Sequence, residues 1–362
     1  MSRLKSIGIL LGSNQIGGTE IQMSRLANGL FNKYKLPVTI FFYSRPSLDY
    51  FKTLSSFENS KVHYLYGSRI IHSYPKNRMV RLINNLNIEL LYVVGGGKAL
   101  ALGIECQKLF KQIVIGVRNE RFIHEKDQLK HLEYYLKEKM TIICNSDSIK
   151  KSLMNFNFST EDKISVIKNG IKKPKIINHQ KLLRPFKVLF CGNLREVKNP
   201  IYFLAVAKEL IKQKLDIEFF IIGDGPLKKQ MQKYIMKNNL SRKIRLLGHV
   251  PPIKVHFSEF DLTINCSKSE GSSNSILESL ASGTPVVASS TTGNIEILKN
   301  KSFGYLYINS SVDDSVKGVK IFYDLDRNKY QKFSNSAIAF VNDQYSVESM
   351  VSTHYSLFSN LV

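Results

Sequence analysis

Short apolar, β-branched runs alternate along this chain with stretches whose apolar positions recur every three or four residues. In the first half the runs predict strands at Ser6–Leu11, Val38–Tyr43, Lys61–Tyr66, Glu89–Val94, Gln112–Val117, Thr141–Cys144 and Ile164–Ile167. Helical spacing lies between several of them, as at Thr19–Tyr34 and Asp147–Phe156. Strands alternating with amphipathic helices predict a parallel sheet covered on both faces. The opening MSRLKSIGILLGSNQ has the look of a signal peptide. Lys5-Ser6 interrupts it, however, and no good cleavage site follows Gly12-Ser13-Asn14, so it reads as the buried first strand.

The alternation then breaks. Asn169–Pro185 is polar and basic with two prolines, as an interdomain linker would be. After it come strand Lys187–Cys191, helix Asn199–Gln213, strand Glu218–Ile222, helix Pro226–Asn238, strands Ile244–Leu247 and Leu262–Asn265, helix Ser273–Ser282 and strand Pro285–Ser289. The expected fold class is therefore α/β, with two Rossmann-like doubly wound domains, 1–180 and 186–345, facing across a cleft. Ligands of such sheets bind beyond the carboxyl ends of the strands.

Composition sharpens this picture in three ways. A chain of 362 residues exceeds what one core usually supports, and 43% hydrophobic content spread throughout argues against long disorder. No apolar run approaches the roughly 18–20 residues of a membrane span. Cys106, Cys144, Cys191 and Cys266 lie far apart in apolar segments, which favours reduced core residues over a metal or disulfide framework. The net charge of +23 is lopsided: residues 1–185 carry 30 Lys and Arg against 13 Asp and Glu, leaving 22 against 16 for the rest. A basic first half fits an anionic partner, and without a nucleic-acid-binding motif a membrane face is the better candidate.

Candidate chemistry concentrates in Phe260–Leu298, FDLTINCSKSEGSSNSILESLASGTPVVASSTTGNIEIL. A buried strand ends near Cys266 and a polar loop leads into a helix, with Ser272, Ser273 and Asn274 as possible N-caps and Gly283 and Pro285 as its stop. Glu270 precedes the helix and Glu278 lies within it. Free N–H groups at a helix start can hold phosphate oxygens, and two flanking carboxylates can accept from hydroxyls on either side of a diphosphate. Ser267-x-x-Glu270 and Ser275-x-x-Glu278 each also match a capping box, which would explain either Glu structurally.

This segment resembles the E-x7-E signature of the retaining GT-B glycosyltransferases of family 4, with its P-V-V-A continuation and later G-x-x-E. Phe190–Pro200 (FCGNLREVKNP), Phe220–Pro226 (FIIGDGP) and Arg245–Val250 (RLLGHV) follow the same family's order. So do Gly17-Gly18-Thr19-Glu20, Cys144-Asn145-Ser146 and Val166–Ile171 upstream. The resemblance implies that Glu278 binds the ribose hydroxyls, that Glu270 with the backbone at Gly271, Ser272 and Ser273 addresses the donor sugar, and that Lys198 binds the diphosphate. It gives the base to His249 and Val250, and close approach to phosphates and acceptor to Gly17 and Gly18. Thr19 and Gln22 would cap that helix as well. Where the family has an Arg five residues before the Lys, this chain has Asn193, with Arg195 in the same loop as a substitute. A His usual near the fifth strand is absent from Gly116–Arg121; Arg118 or Asn119 fills its place, with His124 nearby.

The implied activity is metal-independent retaining transfer, without a cofactor, from a nucleotide-sugar donor (a UDP-sugar) to a saccharide or lipid-linked acceptor in cell-surface polysaccharide or glycolipid synthesis. The protein would be cytoplasmic and peripheral on the inner face of the membrane, with a final helix at 346–362 crossing back onto the first domain. A nucleotide-sugar 2-epimerase or a soluble-acceptor transferase shares the architecture, and a nucleic-acid-binding module is the least favoured reading. Gly95-Gly96-Gly97-Lys98 lacks the leading Gly of a phosphate loop and reads as a strand-to-helix turn, and Asp324-Leu325-Asp326 as a helix surface.

Overall fold

The computed structural model describes residues 4–12, 17–44, 59–66, 75–119, 126–138, 140–155, 161–174, 185–251, 255–308 and 311–362. His124, Arg121 and the middle of the proposed linker, 175–184, lie outside them.

The chain forms two compact units, one of Met1–Gly170 with Val347–Val362 and one of Ile171–Ser346. The first holds β1 (Ile7–Leu11), α1 (Gly18–Tyr34), β2 (Val38–Ser44), β3 (Ser60–Tyr66), α2 (Pro75–Leu86), β4 (Leu90–Val94), α3 (Gly97–Glu105), β5 (Gln112–Val117), α4 (Lys126–Lys137), β6 (Thr141–Cys144), α5 (Asp147–Met154) and β7 (Ile164–Val166). Its strands form one parallel sheet in the order β3-β2-β1-β4-β5-β6-β7. The continuous apolar runs follow from burial on both faces. Ile7, Ile9 and Leu11 of β1 join one core, while Leu10 joins the other with Leu91 and Val93.

In the second unit lie β8 (Phe186–Cys191), α6 (Pro200–Lys212), β9 (Ile217–Ile222), α7 (Lys228–Lys237), β10 (Ile244–Gly248), β11 (Leu262–Asn265), α8 (Asn274–Ala281), β12 (Val286–Ser289), α9 (Thr292–Leu298), β13 (Gly304–Tyr307), α10 (Val312–Tyr323) and α11 (Arg327–Gln344). This sheet is also parallel, in the order β10-β9-β8-β11-β12-β13. The unit begins at Ile171, earlier than the residue 186 taken from the sequence, because Ile171 bridges Ser346 and its N–H donates to Tyr345 O at 2.8 Å.

The last helix, α12 (Val347–Leu361), belongs to the first unit and buries Met350, Val351, His354 and Phe358. Val351 faces Gly29 of α1, and Tyr355 stacks on Tyr34 with ring centroids 3.7 Å apart. His354 is fully buried, with Nδ1 2.8 Å from Met350 O, and desolvation drives its imidazole down to about 3.

Three local expectations change. Helix α7 starts two residues after Pro226, because Leu227 N–H is engaged by Leu194 O at 3.0 Å. Asp324 and Asp326 form a joint between helices rather than a helix surface: Asp324 ends α10, and Asp326 caps α11 by accepting from Lys329 N–H at 2.8 Å. Gly17 N–H donates to the Glu20 carboxylate at 2.7 Å, so Glu20 and not Gln22 caps α1.

Candidate active site

In both sheets the strand order reverses beside the first strand of its unit, between β1 and β4 and between β8 and β11. Such a switch point opens a crevice beyond the carboxyl ends of the strands. In the second unit the two segments leaving it are Gly192–Asn199 and Cys266–Ser273, the same segments that carry the sequence motifs.

The first is held by a short turn in which Lys198 N–H donates to Arg195 O at 2.9 Å. Asn199 then takes a left-handed φ of 51°, a conformation Asn tolerates, and Pro200 starts α6. Beneath it sits the Gly223–Pro226 turn. Leu194 N–H donates to Asp224 O at 2.9 Å, and a Cβ on Gly225, whose φ is 156°, would lie 2.6 Å from Leu194 O. Only glycine fits there.

Lys268 N–H donates to Val197 O at 2.8 Å and joins the two segments by backbone. The ammonium of Lys198 then meets Glu270 Oε1 at 2.5 Å, and the Ser267 hydroxyl donates to the same oxygen at 2.6 Å. Glu270 keeps 8% of its side-chain surface and Lys198 keeps 30%, so the pair is shielded on the carboxylate side and open on the lysine side. A charge-assisted pair of this kind is stronger than a neutral hydrogen bond.

The Glu270 loop rests on buried polar groups. Asn265 Oδ1 accepts from Ser267 N–H and from Asn294 Nδ2, each at 3.2 Å, while its Nδ2 donates to Ser273 Oγ at 3.1 Å. Ser289 Oγ donates to Ser267 O at 2.6 Å, and Asn294 Nδ2 also reaches Ser289 O at 3.0 Å. A Cβ on Gly293 would lie 2.5 Å from both Glu270 O and Gly271 O, so α9 packs directly on the loop backbone.

Neither Ser-x-x-Glu pair is a capping box. Ser267 precedes the helix altogether, and Ser273 occupies the N-cap position of α8 without a side-chain cap bond. Its hydroxyl instead meets Ser275 Oγ at 3.1 Å. Glu278 is half-buried one turn into α8. Burial, with Glu278 adding to it and Lys198 opposing, pushes the Cys191 thiol at the end of β8 up to about 12. Gly271 and Ser273 are buried and Ser272 half-buried, whereas Asn193, Arg195 and His249 are exposed. Val250 packs against the cluster of Leu189, Phe220 and Phe257.

The remaining candidates belong to the first unit. Gly17 and Gly18 open α1, and a Cβ on Gly17 would lie 3.2 Å from the Glu20 carboxylate. Gln22 is buried and accepts from Gly170 N–H at 2.9 Å. Arg118 follows β5 as expected, yet it is 8% exposed and turned inward: Nη2 donates to Asn169 Oδ1 at 2.7 Å, and Tyr92 and His354 lie close by. Its Nη1 has no hydrogen-bond partner among the described residues. Sequence reasoning missed Asn265, Ser267 as a Glu270 partner, Ser289 and Asn294. A polar residue closing an apolar strand, as in Leu262–Asn265 and Val286–Ser289, was the available signal.

Known proteins resemble this chain in sequence and in fold. Over 192 residues the chain is 30% identical to the UDP-Gal:alpha-D-GlcNAc-diphosphoundecaprenol alpha-1,3-galactosyltransferase of Escherichia coli, covering 49% of this chain and 50% of that protein. The poly(ribitol-phosphate) alpha-N-acetylglucosaminyltransferase of Staphylococcus aureus is 24% identical over 253 residues, 68% of this chain and 50% of the relative. The chain thus spans about half the length of these curated relatives. Among solved structures, Anabaena HepE in complex with UDP aligns with a TM-score of 0.79 at 16% identity, covering 98% of this chain and 100% of that one. The expected GT-B fold, two parallel-sheet α/β domains, is the fold of these structures. Residues 172–340, a little under half of the chain, match the profile described as glycosyl transferases group 1, and over this stretch the chain is similar to that family.

Proposed function

We propose that this protein is a retaining glycosyltransferase that moves a sugar from a UDP-sugar onto a lipid-linked or membrane-associated saccharide, in the synthesis of a cell-surface polysaccharide or glycolipid. The observation that carries this reading is the Lys198–Glu270 pair at the β8/β11 switch point, with Glu278 following in α8. In the proposed complex Glu278 accepts from the ribose hydroxyls. Glu270 and the Gly271–Ser273 backbone hold the transferred sugar, and His249 and Val250 meet the base.

The leaving diphosphate gains negative charge as the glycosidic bond breaks. An ammonium already in place stabilises that charge more in the transition state than in the ground state. Lys198 supplies it, with exposed Arg195 standing in for the arginine that Asn193 replaces, and a bound metal is not required. Retention and metal independence are proposed on the family resemblance. Donor and acceptor follow the relatives: the E. coli protein is named for UDP-Gal and a diphosphoundecaprenol acceptor, and the HepE structure holds UDP. Gly17, Gly18 and Arg118 make the first unit the proposed acceptor side.

A membrane site for the reaction draws on the first unit's charge. From Asn59 to Ile88 the sequence has no Asp or Glu, and Lys61, Lys76, Arg78 and Arg81 are exposed on β3 and α2. No described helix is long and apolar enough to cross a membrane.

Melting curves with UDP, GDP, ADP and CDP in the presence of EDTA test the donor site. A nucleotide at a hundred times its Kd adds about 2.7 kcal/mol of stability. UDP should raise the melting point of the wild type and not of Glu278→Ala. Stabilisation by no nucleotide, or equal stabilisation of both proteins, would overturn the reading.

A further inference from the structure

Glu270 carries the proposed contact with the transferred sugar, yet in this structure its Oε1 is engaged twice, by Lys198 and by Ser267. These two donors differ in what a donor substrate does to them. A diphosphate attracts the Lys198 ammonium, which retains 30% of its side-chain surface and sits on a surface loop. Ser267 is 1% exposed and bonded at every polar position: its N–H donates to Asn265 Oδ1 at 3.2 Å, and its carbonyl accepts from Ser289 Oγ at 2.6 Å. Asn294, 0% exposed, ties both supports together by donating to Asn265 Oδ1 and Ser289 O.

We propose that Ser267 is a positioning residue that holds Glu270 Oε1 in the protein and leaves Oε2 for a hydroxyl of the transferred sugar, with Asn294 setting Ser267 through Asn265 and Ser289. This rests on the donor-site reading above. When the diphosphate draws Lys198 away, the serine hydroxyl is the bond that remains on the carboxylate. A Glu side chain has three rotatable bonds, and one fixed oxygen removes the swing that would carry the other away from the sugar. The effect therefore falls on the sugar part of the donor and not on the nucleotide part.

The test compares affinities in one protein. Calorimetry gives the Kd of UDP and of whichever of UDP-Gal, UDP-Glc and UDP-GlcNAc the wild type binds most tightly, and turnover of that sugar nucleotide gives kcat. Ser267→Ala should leave the UDP Kd within about twofold, while sugar-nucleotide affinity and kcat each fall about tenfold, the loss of one charge-assisted hydrogen bond. Ser267→Thr, which keeps the hydroxyl, should restore most of both. Asn294→Asp keeps the shape but removes the amide donor, so it should move the same two quantities in the same direction. It carries the test alone should Ser267→Ala not fold. Equal weakening of UDP and sugar nucleotide, or no change in either, would overturn the proposal. A wild type that binds no nucleotide would instead overturn the donor site itself.

Discussion

Replacing Gly293 by Ala adds one methyl group where α9 meets the Glu270 loop. The new Cβ would lie 2.5 Å from Glu270 O, 2.5 Å from Gly271 O and 2.7 Å from Gly271 C. Ordinary carbon–oxygen contact begins near 3.3 Å, so helix and loop must part by roughly 0.8 Å. The obstacle is backbone, pinned by the Lys268 N–H to Val197 O bond and by the bonds around Ser267, so no side chain can simply swing aside. Overpacking of this kind costs about 1–3 kcal/mol. Two effects oppose it: Ala restricts the unfolded chain by about 0.4–1 kcal/mol, and it is the better helix former. The net expectation is a loss of about 1–2 kcal/mol. For a unit of this size that lowers the melting point by roughly 2–8 °C. Because the displaced atoms belong to Glu270 and Gly271, nucleotide-sugar affinity should fall as well. Calorimetric melting and titration with UDP-sugar measure both. A Gly293→Ala protein that melts at or above the wild type and binds donor normally would refute the packing argument.

Two further outcomes follow from the first unit. His354 has a folded-state pKa of about 3 against 6.5 unperturbed, so between those values the unfolded chain binds a proton that the native one refuses. Stability should therefore be full above pH 6.5 and decline by up to about 1.4 kcal/mol per unit as pH falls below it. His354→Leu should flatten that slope in urea titrations at pH 7, 6 and 5, and identical slopes would refute the buried-imidazole account. Binding to vesicles containing anionic lipid should weaken steeply as salt rises, and weaken further in Arg78→Ala/Arg81→Ala; salt-insensitive binding, or none, would sink the membrane part.

The fold was legible wherever one physical signal acted alone. Strands such as Leu90–Val94 are apolar throughout because both faces are covered, and that run is visible without any structure. The sixth strand of the second sheet was not, since Gly304–Tyr307 has one buried residue and no β-branched one. The site divides the same way. Glu270 and Glu278 stood out as candidates because charge in an apolar, glycine-punctuated segment is costly and conspicuous, whereas Lys198 entered only through the family resemblance. The mistaken caps share one cause: spacing shows that Thr19 and Gln22 could meet, but tertiary contacts sent Gln22 to Gly170, 148 residues away. Arg118 shows the limit most clearly. Its place at the end of β5 was readable, but its inward turn toward Asn169 depends on residues that sequence order keeps apart.

The return of α12 to the first unit bears on how the protein is made. A ribosome releases the N-terminal residues first, and domains generally fold as units as they emerge. Here β1 to β7 emerge early, but the face of α1 and β4 that receives Met350, Val351, His354 and Phe358 stays uncovered until α12 has been made. Every strand of the second unit has appeared before then. The later-encoded unit can thus complete its core first, and the earlier one waits with an exposed apolar face, a natural place for a chaperone to act. A fragment stopping at Gly170 would keep that exposure permanently, so the first unit is best produced with its closing helix, joined to Gly170 through a short linker in place of the second unit.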